Sequence, residues 1–376
     1  MKLSNKINGI AGSQTVAFTT LIQQLQREGQ QIIDLAVGEP QLDTPAAVIE
    51  ATQNALTAQK TRYSPVNGLL ELRTRLADQF DGWGMQNILI TNGAKQALYM
   101  IFQAICNFAD EVIVPVPYWV SFVEQVKLAG GRPVPVATQH HQLNVAAIEQ
   151  AITPRTKAIL INTPNNPSGA VYPREDLQKI ARLAADHDLF IVADEAYKAF
   201  VYDGAVFESI FNIEAARDRL IVTRSFSKSY SMTGFRIGYV AAPADVISAL
   251  SKIQSHLTGN VCTFAQYGAL AALELQADWF STRQADLQQK RDMAYERVSQ
   301  MFDCIQPQGA FYLFPNVSSV LKNDETSEAL ARRILEAAGV AVVAGEAFGM
   351  ARHLRISFAV TEENLINGLK RIAEVL

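Results

Sequence analysis

The sequence predicts an α/β fold with a mainly parallel sheet, followed by a smaller α+β part. Between about Met85 and Ala242, short runs rich in β-branched residues alternate with longer stretches of helical period. Most of these runs are apolar on both faces, as expected for parallel strands that are covered by helices on each side. After about Asp278 the pattern changes to long helices separated by isolated short runs.

The first region contains six predicted strands and three predicted helices. The strands are residues 87–91, 111–116, 157–162, 189–193, 220–223 and 237–241, and the helices are residues 95–106, 121–129 and 174–186. Because crossovers between parallel strands are right-handed, the carboxyl ends of the strands meet at one edge of the sheet. Ligands of open α/β sheets bind at that edge.

The C-terminal region is predicted to fold as a small α+β domain. Its helices are residues 279–302, 327–338 and 362–375, and its strands are residues 311–314, 340–343 and 354–358. The first forty residues contain a helix at 15–28 and a strand-like run at 32–35, which we expect to pack with the C-terminal part. The expected division is an N-terminal segment 1–40, a large domain 41–280 and a small domain 281–376.

The composition excludes several classes of protein. The 376 residues are 49% hydrophobic and 19% charged, which is enough for a large core and argues against disorder. The net charge of -4 argues against a nucleic-acid or anionic-membrane surface. Three widely spaced cysteines without a CxxC pair, and no signal-peptide or membrane-length apolar run, favour a cytoplasmic protein. His140 and His141 lie in a polar stretch and are expected in a solvated loop, so no metal site is predicted.

The segment from Ser225 to Gly238 carries the strongest chemical signal. Lys228 follows a predicted strand, so it is expected at the ligand-binding edge of the sheet. A lysine there can condense with a carbonyl group if its surroundings lower its pKa. Ser225, three residues earlier, and Arg236, eight residues later, could bind a phosphate group. A surface Lys/Arg pair in a serine-rich loop is the alternative.

This segment resembles the cofactor-lysine motif of fold-type-I aminotransferases of class I/II, and the similarity extends over nearly the whole chain. Much of it is similar to the bacterial branch that contains aspartate and prephenate aminotransferases. The resemblance implies a large domain with a mainly parallel seven-stranded sheet and a small α+β domain. It also implies that Lys228 carries pyridoxal 5′-phosphate as a Schiff base.

Two further motifs follow predicted strands. Asp194 directly follows the run at 189–193, and a carboxylate at this strand end can keep a pyridine nitrogen protonated. The resemblance implies that Tyr197 and Asn166 hydrogen-bond the phenolic oxygen of the cofactor. The segment around Asn166 contains Pro167 and Gly169, which predict a tight loop, with a cis bond before the proline as one possibility. A helix cap at Asp194 and a simple turn at Asn166 are the alternatives.

Other positions are assigned by the resemblance alone. Small residues at a helix start let backbone N–H groups approach a phosphate, and Gly93, Ala94 and Lys95 match the phosphate-binding positions of the family. Trp119 matches the aromatic residue that stacks on the cofactor ring. A plain helix start and an ordinary core tryptophan are the alternatives.

The remaining predicted positions bind substrate or the partner subunit. Arg355 resembles the arginine that holds the substrate α-carboxylate, and Gly38 resembles a glycine whose N–H meets the same group. Tyr63 resembles a tyrosine lent to the phosphate of the neighbouring subunit, which implies a homodimer with shared active sites. Ser13, Thr15 and Lys95 match positions that receive a second carboxylate, although Lys95 could instead serve only the phosphate or the helix dipole.

The expected reaction is ping-pong transamination between L-aspartate and 2-oxoglutarate, with Lys228, Asp194 and Tyr197 as the catalytic residues. Prephenate, aromatic amino acids and alanine are alternative substrates. A carbon–sulfur β-lyase would retain the same residues, since this scaffold supports several reactions. A transcription regulator is disfavoured, because it needs an attached DNA-binding domain and the resemblance begins within about fifteen residues of Met1.

Overall fold

A seven-stranded sheet forms the centre of the computed structural model, which describes residues 4–12, 14–322 and 324–376. The strands of the chain are β1 Ile33–Asp34, β2 Ile88–Thr91, β3 Glu111–Val116, β4 Arg132–Ala137, β5 Thr156–Asn162, β6 Phe190–Asp194, β7 Leu220–Ser225, β8 Gly238–Ala241, β9 Tyr312–Leu313, β10 Val340–Ala341, β11 Val343–Ala344 and β12 Leu354–Ser357. The large sheet has the order β2-β8-β7-β6-β5-β3-β4, in which β8 is antiparallel to both neighbours and the other neighbours are parallel. The predicted fold class is confirmed.

Two of the predicted regions differ from the structure by more than the end residues of a strand. The strand β4 is absent from the six predicted runs because Pro133 and Pro135 weaken its β signal. Proline is tolerated there since β4 is an edge strand that pairs only with β3. The predicted strand 340–343 is two short strands, of which β10 pairs with β1 and β11 pairs with β12.

Helices cover both faces of the large sheet. The α-helices are α1 Asn5–Asn8, α2 Gln14–Arg27, α3 Ala46–Thr57, α4 Leu70–Ala77, α5 Gly93–Ile105, α6 Ser121–Leu128, α7 Val145–Gln150, α8 Arg174–Asp186, α9 Phe226–Ser229, α10 Ala244–Leu257, α11 Thr263–Leu273, α12 Ala277–Met301, α13 Ser327–Ala338 and α14 Glu362–Val375. Alternate residues of each strand enter different cores: Ile159 and Ile161 of β5 pack with α8 and α11, whereas Leu160 packs with α5 and α10. This alternation explains why the strands are apolar on both faces.

The C-terminal part has its own core. Its three-stranded antiparallel sheet has the order β11-β12-β9, and α12, α13 and α14 pack against it. The helix α13 begins where Thr326 accepts a hydrogen bond from the N–H of Ala329 and ends at Gly339, which has a φ of 64°. Tyr197, from the segment after β6, is buried in this core as well. Among the residues described above, no helix is long and apolar enough to cross a membrane.

Candidate active site

A cavity of about 340 Å³ lies at the carboxyl ends of β5, β6 and β7, where the core of the C-terminal part meets the large sheet. Most of the residues predicted from the sequence to bind cofactor or substrate line it. They are Gly38, Ala94, Lys95, Trp119, Asn166, Asp194, Tyr197, Ser225, Lys228, Arg236 and Arg355.

Lys228 lies in the single turn α9, directly after β7. The turn begins at Ser225, whose Oγ accepts a hydrogen bond from the N–H of Ser227 at 3.0 Å. The amine of Lys228 donates to the backbone oxygen of Gly38 at 2.5 Å. The pKa of Lys228 is lowered to about 8, mainly by burial; the charge of Glu39 opposes the shift, and the charges of Arg236 and Arg355 add to it. At neutral pH about a tenth of this amine is therefore uncharged and nucleophilic, far more than for an ordinary lysine.

Asp194 is the last residue of β6 and is only 5% exposed. Its Oδ1 accepts a hydrogen bond from the N–H of Ala196 at 3.1 Å. The pKa of Asp194 is raised to about 7, mainly by burial, with a smaller contribution from the adjacent charge of Glu195. A cationic group at this end of the cavity would be needed to keep Asp194 ionised at neutral pH.

The loop after β5 is fixed by its own asparagines. Asn162 Oδ1 accepts from the N–H of Asn166 at 3.0 Å, and Asn162 Nδ2 donates to the backbone oxygen of Asp194 at 3.1 Å. Asn165 Nδ2 donates to the oxygen of Pro117 at 3.2 Å. The peptide bond between Asn166 and Pro167 is cis. These bonds direct the Asn166 side chain into the cavity, where its Oδ1 accepts from Arg355 at 3.2 Å.

A narrow cradle lies between the start of α5 and the segment that follows Lys228. Gly93 has a φ of +76°, and a Cβ there would lie 2.7 Å from Nη2 of Arg236. A Cβ on Gly238 would lie 2.8 Å from the backbone nitrogen of Ala94. Only glycine allows this approach, which brings backbone N–H groups, the Ser225 hydroxyl and a guanidinium to one end of the cavity. Such a donor set suits a phosphate group.

Lys95 and Trp119 lie on another wall of the cavity. The Lys95 amine is 4.9 Å from the centroid of the Trp119 ring. Burial lowers the pKa of Lys95, and the nearby charge of Arg236 contributes. The cavity therefore presents several cationic groups, as expected for a ligand with more than one acidic group.

Arg355, in β12, is 4% exposed and is the main cationic group on the side of the small sheet. Its Nη2 donates to the oxygen of Ala36 at 2.7 Å, and its Nε is buried without a hydrogen-bond partner. The rings of Tyr312 and Phe348 lie 4.4 and 5.1 Å from its guanidinium carbon. These contacts hold the guanidinium in place while a donor stays available for a carboxylate.

Among the residues that the structure describes, Gly93 and Tyr63 are predicted site residues that are not part of the cavity lining. Gly93 adjoins it through Arg236, as described above. Tyr63 is 97% exposed. Ser13 lies outside the described residues, and Thr15 lies in α2 but its side chain is outside them.

Several lining residues were not predicted from the sequence. They are Ala36, Asn162, Ala196, Ser227 and Tyr312. Tyr312 is the most informative, because its hydroxyl and its ring both contact predicted site residues. Its position in a short apolar run, between Phe311 and Leu313, gave only a core signal.

The expectation for His141 was wrong. His140 is exposed, but His141 is only 8% exposed and its ring packs against Phe314 and His353. A polar sequence does not reveal this, because the contact partners lie about 170 or more residues further along the chain.

The fold is that of the fold-type-I aminotransferases, as the similarity to solved structures shows. The aspartate aminotransferase from Thermus thermophilus with maleate matches with a TM-score of 0.96 and 39% identity, covering 100% of both chains. The aspartate aminotransferase from Thermotoga maritima matches with a TM-score of 0.92 and 37% identity, covering 99% of both chains.

The sequence comparisons agree with this class. The family model for aminotransferase class I and II matches residues 30–372. A probable aspartate/prephenate aminotransferase from Aquifex aeolicus is 39% identical, covering 100% of this chain and 98% of the relative. The aspartate aminotransferase from Bacillus subtilis is 36% identical, covering 99% of this chain and 98% of the relative. The chain therefore belongs to the class I and II aminotransferase family.

Proposed function

We propose that this chain transfers the amino group of L-aspartate to 2-oxoglutarate with pyridoxal 5′-phosphate as the cofactor. The observation that carries the proposal is the partly neutral amine of Lys228, which shares one cavity with Asp194 and Arg355. Relatives that cover the whole chain are named aspartate or aspartate/prephenate aminotransferases, which supports an acidic substrate.

The cavity fits this cofactor at four places. Backbone N–H groups of Ala94 and Lys95, with Ser225 and Arg236, would hold the phosphate at the cradle that Gly93 and Gly238 leave open. Trp119 would pack on the ring, and Tyr197 with Asn166 would bind the phenolic oxygen. Asp194 would pair with the ring nitrogen, whose positive charge would offset the effect of burial on its pKa. The bound cofactor supplies an electron sink for the substrate α-carbon.

The protein's own residues then bind the substrate and move its proton. Arg355 binds the α-carboxylate through guanidinium N–H groups, and the backbone N–H of Gly38 adds a second donor. The amine of Lys228 would take the proton from the α-carbon and, as the general acid, would deliver a proton to the C4′ carbon of the cofactor, which is the transfer that transamination requires. A pKa near 8 suits both roles, because the group exchanges protons readily near neutral pH.

The second carboxylate of the substrate is assigned to Lys95, with Ser13 and Thr15 as further ligands. The competing role for Lys95 is binding the phosphate alone. A Lys95→Gln variant distinguishes the two roles. If Lys95 binds the second carboxylate of the substrate, the variant should bind aspartate much more weakly but alanine almost as well as before. If Lys95 binds only the phosphate, the binding of both amino acids should weaken equally.

We also propose a homodimer and a division into two domains. The side chain of Tyr63 is exposed, but the adjacent backbone is held in place. The hydroxyl of Thr263 donates to the backbone oxygen of Arg62 at 2.8 Å. An exposed ring on an ordered loop is free to contact a neighbouring molecule, which is compatible with donation of Tyr63 to the partner's phosphate site. The parallel pairing of β1 with β10 supports assigning residues 1–40 to the small domain 281–376 rather than to the large domain 41–280.

A half-reaction tests the proposed function. Cofactor-loaded protein is mixed with single amino acids without an oxo-acid acceptor, and the released oxo acid is counted per site. We expect one equivalent of oxaloacetate from L-aspartate and of 2-oxoglutarate from L-glutamate, and much slower release from alanine and phenylalanine. Release from another amino acid alone would keep transamination and overturn the acidic substrate. Continuous pyruvate formation from cystathionine would instead indicate the β-lyase.

A variant of Lys228 tests the role of its amine. Lys228→Ala is expected to keep binding the cofactor but to form no covalent bond that borohydride can trap, and to release almost no oxo acid. Lys228→Ala with normal turnover would contradict the proposal.

A further inference from the structure

The connection between β4 and α7 contains a strained two-residue turn. Gln139 and Gln142 exchange backbone hydrogen bonds of 2.9 and 2.8 Å, so His140 and His141 occupy the two central positions. Their φ values are 49° and 64°, in the left-handed region. Asn-Gly is the preferred pair for a turn of this kind. Two histidines here raise the question of what the second side chain does.

The ring of His141 is buried between the turn and the small sheet. Its centroid lies 5.8 Å from that of Phe314 and 6.2 Å from that of His353. Burial lowers the pKa of His141 to about 4, with the neighbouring His353 and His140 contributing, so the ring is neutral at physiological pH. The side chain therefore acts as a packed aromatic ring.

Two contact routes join His141 to the guanidinium of Arg355. In the first route, Phe314 packs against Phe348 with centroids 5.8 Å apart, and Phe348 lies 5.1 Å from the guanidinium carbon. In the second route, His353 is the residue before β12, whose second residue is Arg355. His353 is itself stacked on Phe314 at 5.0 Å with an interplanar angle of 21°. The stack of Phe314 and His353 thus contacts His141 directly and is joined to Arg355 through Phe348 and the start of β12.

Open space lies beside the stack next to His141. A cavity of about 190 Å³ adjoins it and is lined by polar and apolar side chains, including Asp303, Asn316 and Met350. Within residues 4–12, 14–322 and 324–376, no three His, Cys, Asp or Glu side chains form a group that could hold a metal ion. If the ring of His141 were removed, Phe314 and His353 could shift into this space.

We propose that His141 is a positioning residue for Arg355. Its ring fixes the stack of Phe314 and His353, and the stack fixes Phe348 and the start of β12, which together set the direction of the guanidinium. An Asn-Gly turn would relieve the backbone strain but would place no ring in this position. The inference rests on the proposed function, in which Arg355 binds the α-carboxylate of both the amino-acid and the oxo-acid substrate.

The experiment uses the cofactor-loaded enzyme with a pair of matched variants. His141→Asn keeps a residue that tolerates a positive φ and removes the ring. His140→Asn makes the same change at the adjacent, exposed position. We expect His141→Asn to raise KM for both substrates and the Kd of the dicarboxylate maleate roughly tenfold, with kcat little changed. His140→Asn should leave all three unchanged.

A double-variant cycle tests the route through Phe314. Phe314→Leu alone should weaken maleate binding to a similar degree, and combining it with His141→Asn should add little, because both changes break the same contact chain. Additive losses would overturn the route. The thermal midpoint of each variant is measured alongside, and a lower midpoint with unchanged maleate binding in His141→Asn would overturn the positioning role.

The variant Arg355→Lys distinguishes a failure of this inference from a failure of the proposed function. If Arg355→Lys loses maleate binding and His141→Asn keeps it, the inference fails and the proposed function stands. If Arg355→Lys binds maleate normally, the proposed role of Arg355 fails as well.

Discussion

The hydroxyl groups of Tyr197 and Tyr312 lie 3.0 Å apart at the boundary between the large sheet and the small sheet. Both residues are buried, and burial raises the pKa of Tyr197 well above its usual value, with the contact to Tyr312 adding to the effect. Tyr197 also receives a long hydrogen bond from Asn166 at 3.5 Å, whereas the ring of Tyr312 packs on Arg355 at 4.4 Å. The pair therefore connects the residues assigned to the cofactor with the arginine assigned to the substrate.

The first prediction separates the ring of Tyr312 from its hydroxyl. Tyr312→Phe keeps the contact with Arg355 and removes one hydrogen bond, so we expect maleate binding to weaken by no more than about 1 kcal/mol. Tyr312→Leu also removes the cation–π contact with Arg355, so we expect maleate binding to weaken by about 0.5–2 kcal/mol more. Titration calorimetry of the two variants measures the difference. Equal binding by both variants would show that the ring contributes nothing to the placement of Arg355.

Local sequence patterns predicted seven of the α-helices and the strands of the large sheet other than β4, because the periodic signal of each lies within its own segment. The helices α1, α3, α4, α7, α9, α10 and α11 were not predicted. Residues 174–186, 327–338 and 362–375 were predicted with the bounds that the structure has. The pairing of short strands that are distant in the sequence was not predictable. The two-residue strands β10 and β11 are separated by a single residue, yet they belong to different sheets.

The same distinction holds for the site. Residues that follow strands, such as Lys228 and Asp194, could be placed at one edge by the α/β topology alone. Tyr312 and His141 could not, since each acquires its neighbours only when the small sheet packs against the large one. Their immediate sequences show a core strand and a polar loop respectively, and neither pattern contains the contact partner.

The second prediction concerns the pH dependence of the cofactor-free protein. Burial raises the pKa of Asp194 from 3.8 to about 7 in the folded state. Between these values the folded state holds a proton that the unfolded state has lost, so the contribution of Asp194 to stability falls as the pH rises from about 4 to about 7. At about 1.4 kcal/mol per pKa unit, the upper limit of the loss is about 4 kcal/mol.

Asp194→Asn should remove this loss. We expect calorimetry of the cofactor-free proteins to show that the thermal midpoint of the variant minus that of the wild type increases between pH 4 and pH 8. Adding cofactor should bring the two closer, because the ring nitrogen would compensate the charge of Asp194. Parallel curves for the cofactor-free proteins would indicate that Asp194 has an ordinary pKa.

The third prediction concerns a buried ion pair beside the cavity. Arg224 and Glu195, with side chains 7% and 1% exposed, are 2.7 Å apart and directly adjoin Ser225 and Asp194 in the sequence. Arg224→Met leaves the Glu195 charge buried and unpaired, which should lower the free energy of unfolding by about 3–5 kcal/mol. Adding Glu195→Gln should recover part of this loss by removing the unpaired charge.

An exposed ion pair provides the control for Arg224. Arg75 and Glu274 are 2.6 Å apart but 47% and 62% exposed, so Arg75→Met should cost only about 0–1 kcal/mol. Urea unfolding of the four proteins measures these differences. A similar cost for Arg75→Met and Arg224→Met would show that burial does not govern the strength of the Arg224 pair.

The last prediction tests whether Tyr63 serves the partner subunit. Tyr63 is exposed, and its neighbour Ser64 is held by Gln266 at 3.3 Å, so the ring projects from a fixed loop. Tyr63→Ala should weaken the cofactor site of the partner, while Lys228→Ala inactivates the site of its own chain. In a hybrid dimer of the two variants, one site then carries both defects and the other carries neither. After random association, about one quarter of all sites should be intact.

Co-expression with two different affinity tags isolates the hybrid dimer for this measurement. The purified hybrid should have about half the wild-type activity at low cofactor concentration, where the Tyr63→Ala dimer is weakened and the Lys228→Ala dimer is inactive. If Tyr63 served its own chain instead, each site of the hybrid would carry one defect and no activity would be regained. Failure to isolate any hybrid would contradict the homodimer itself. The two arrangements therefore predict opposite outcomes for one preparation, because only an exchanged tyrosine can place both defects in the same site.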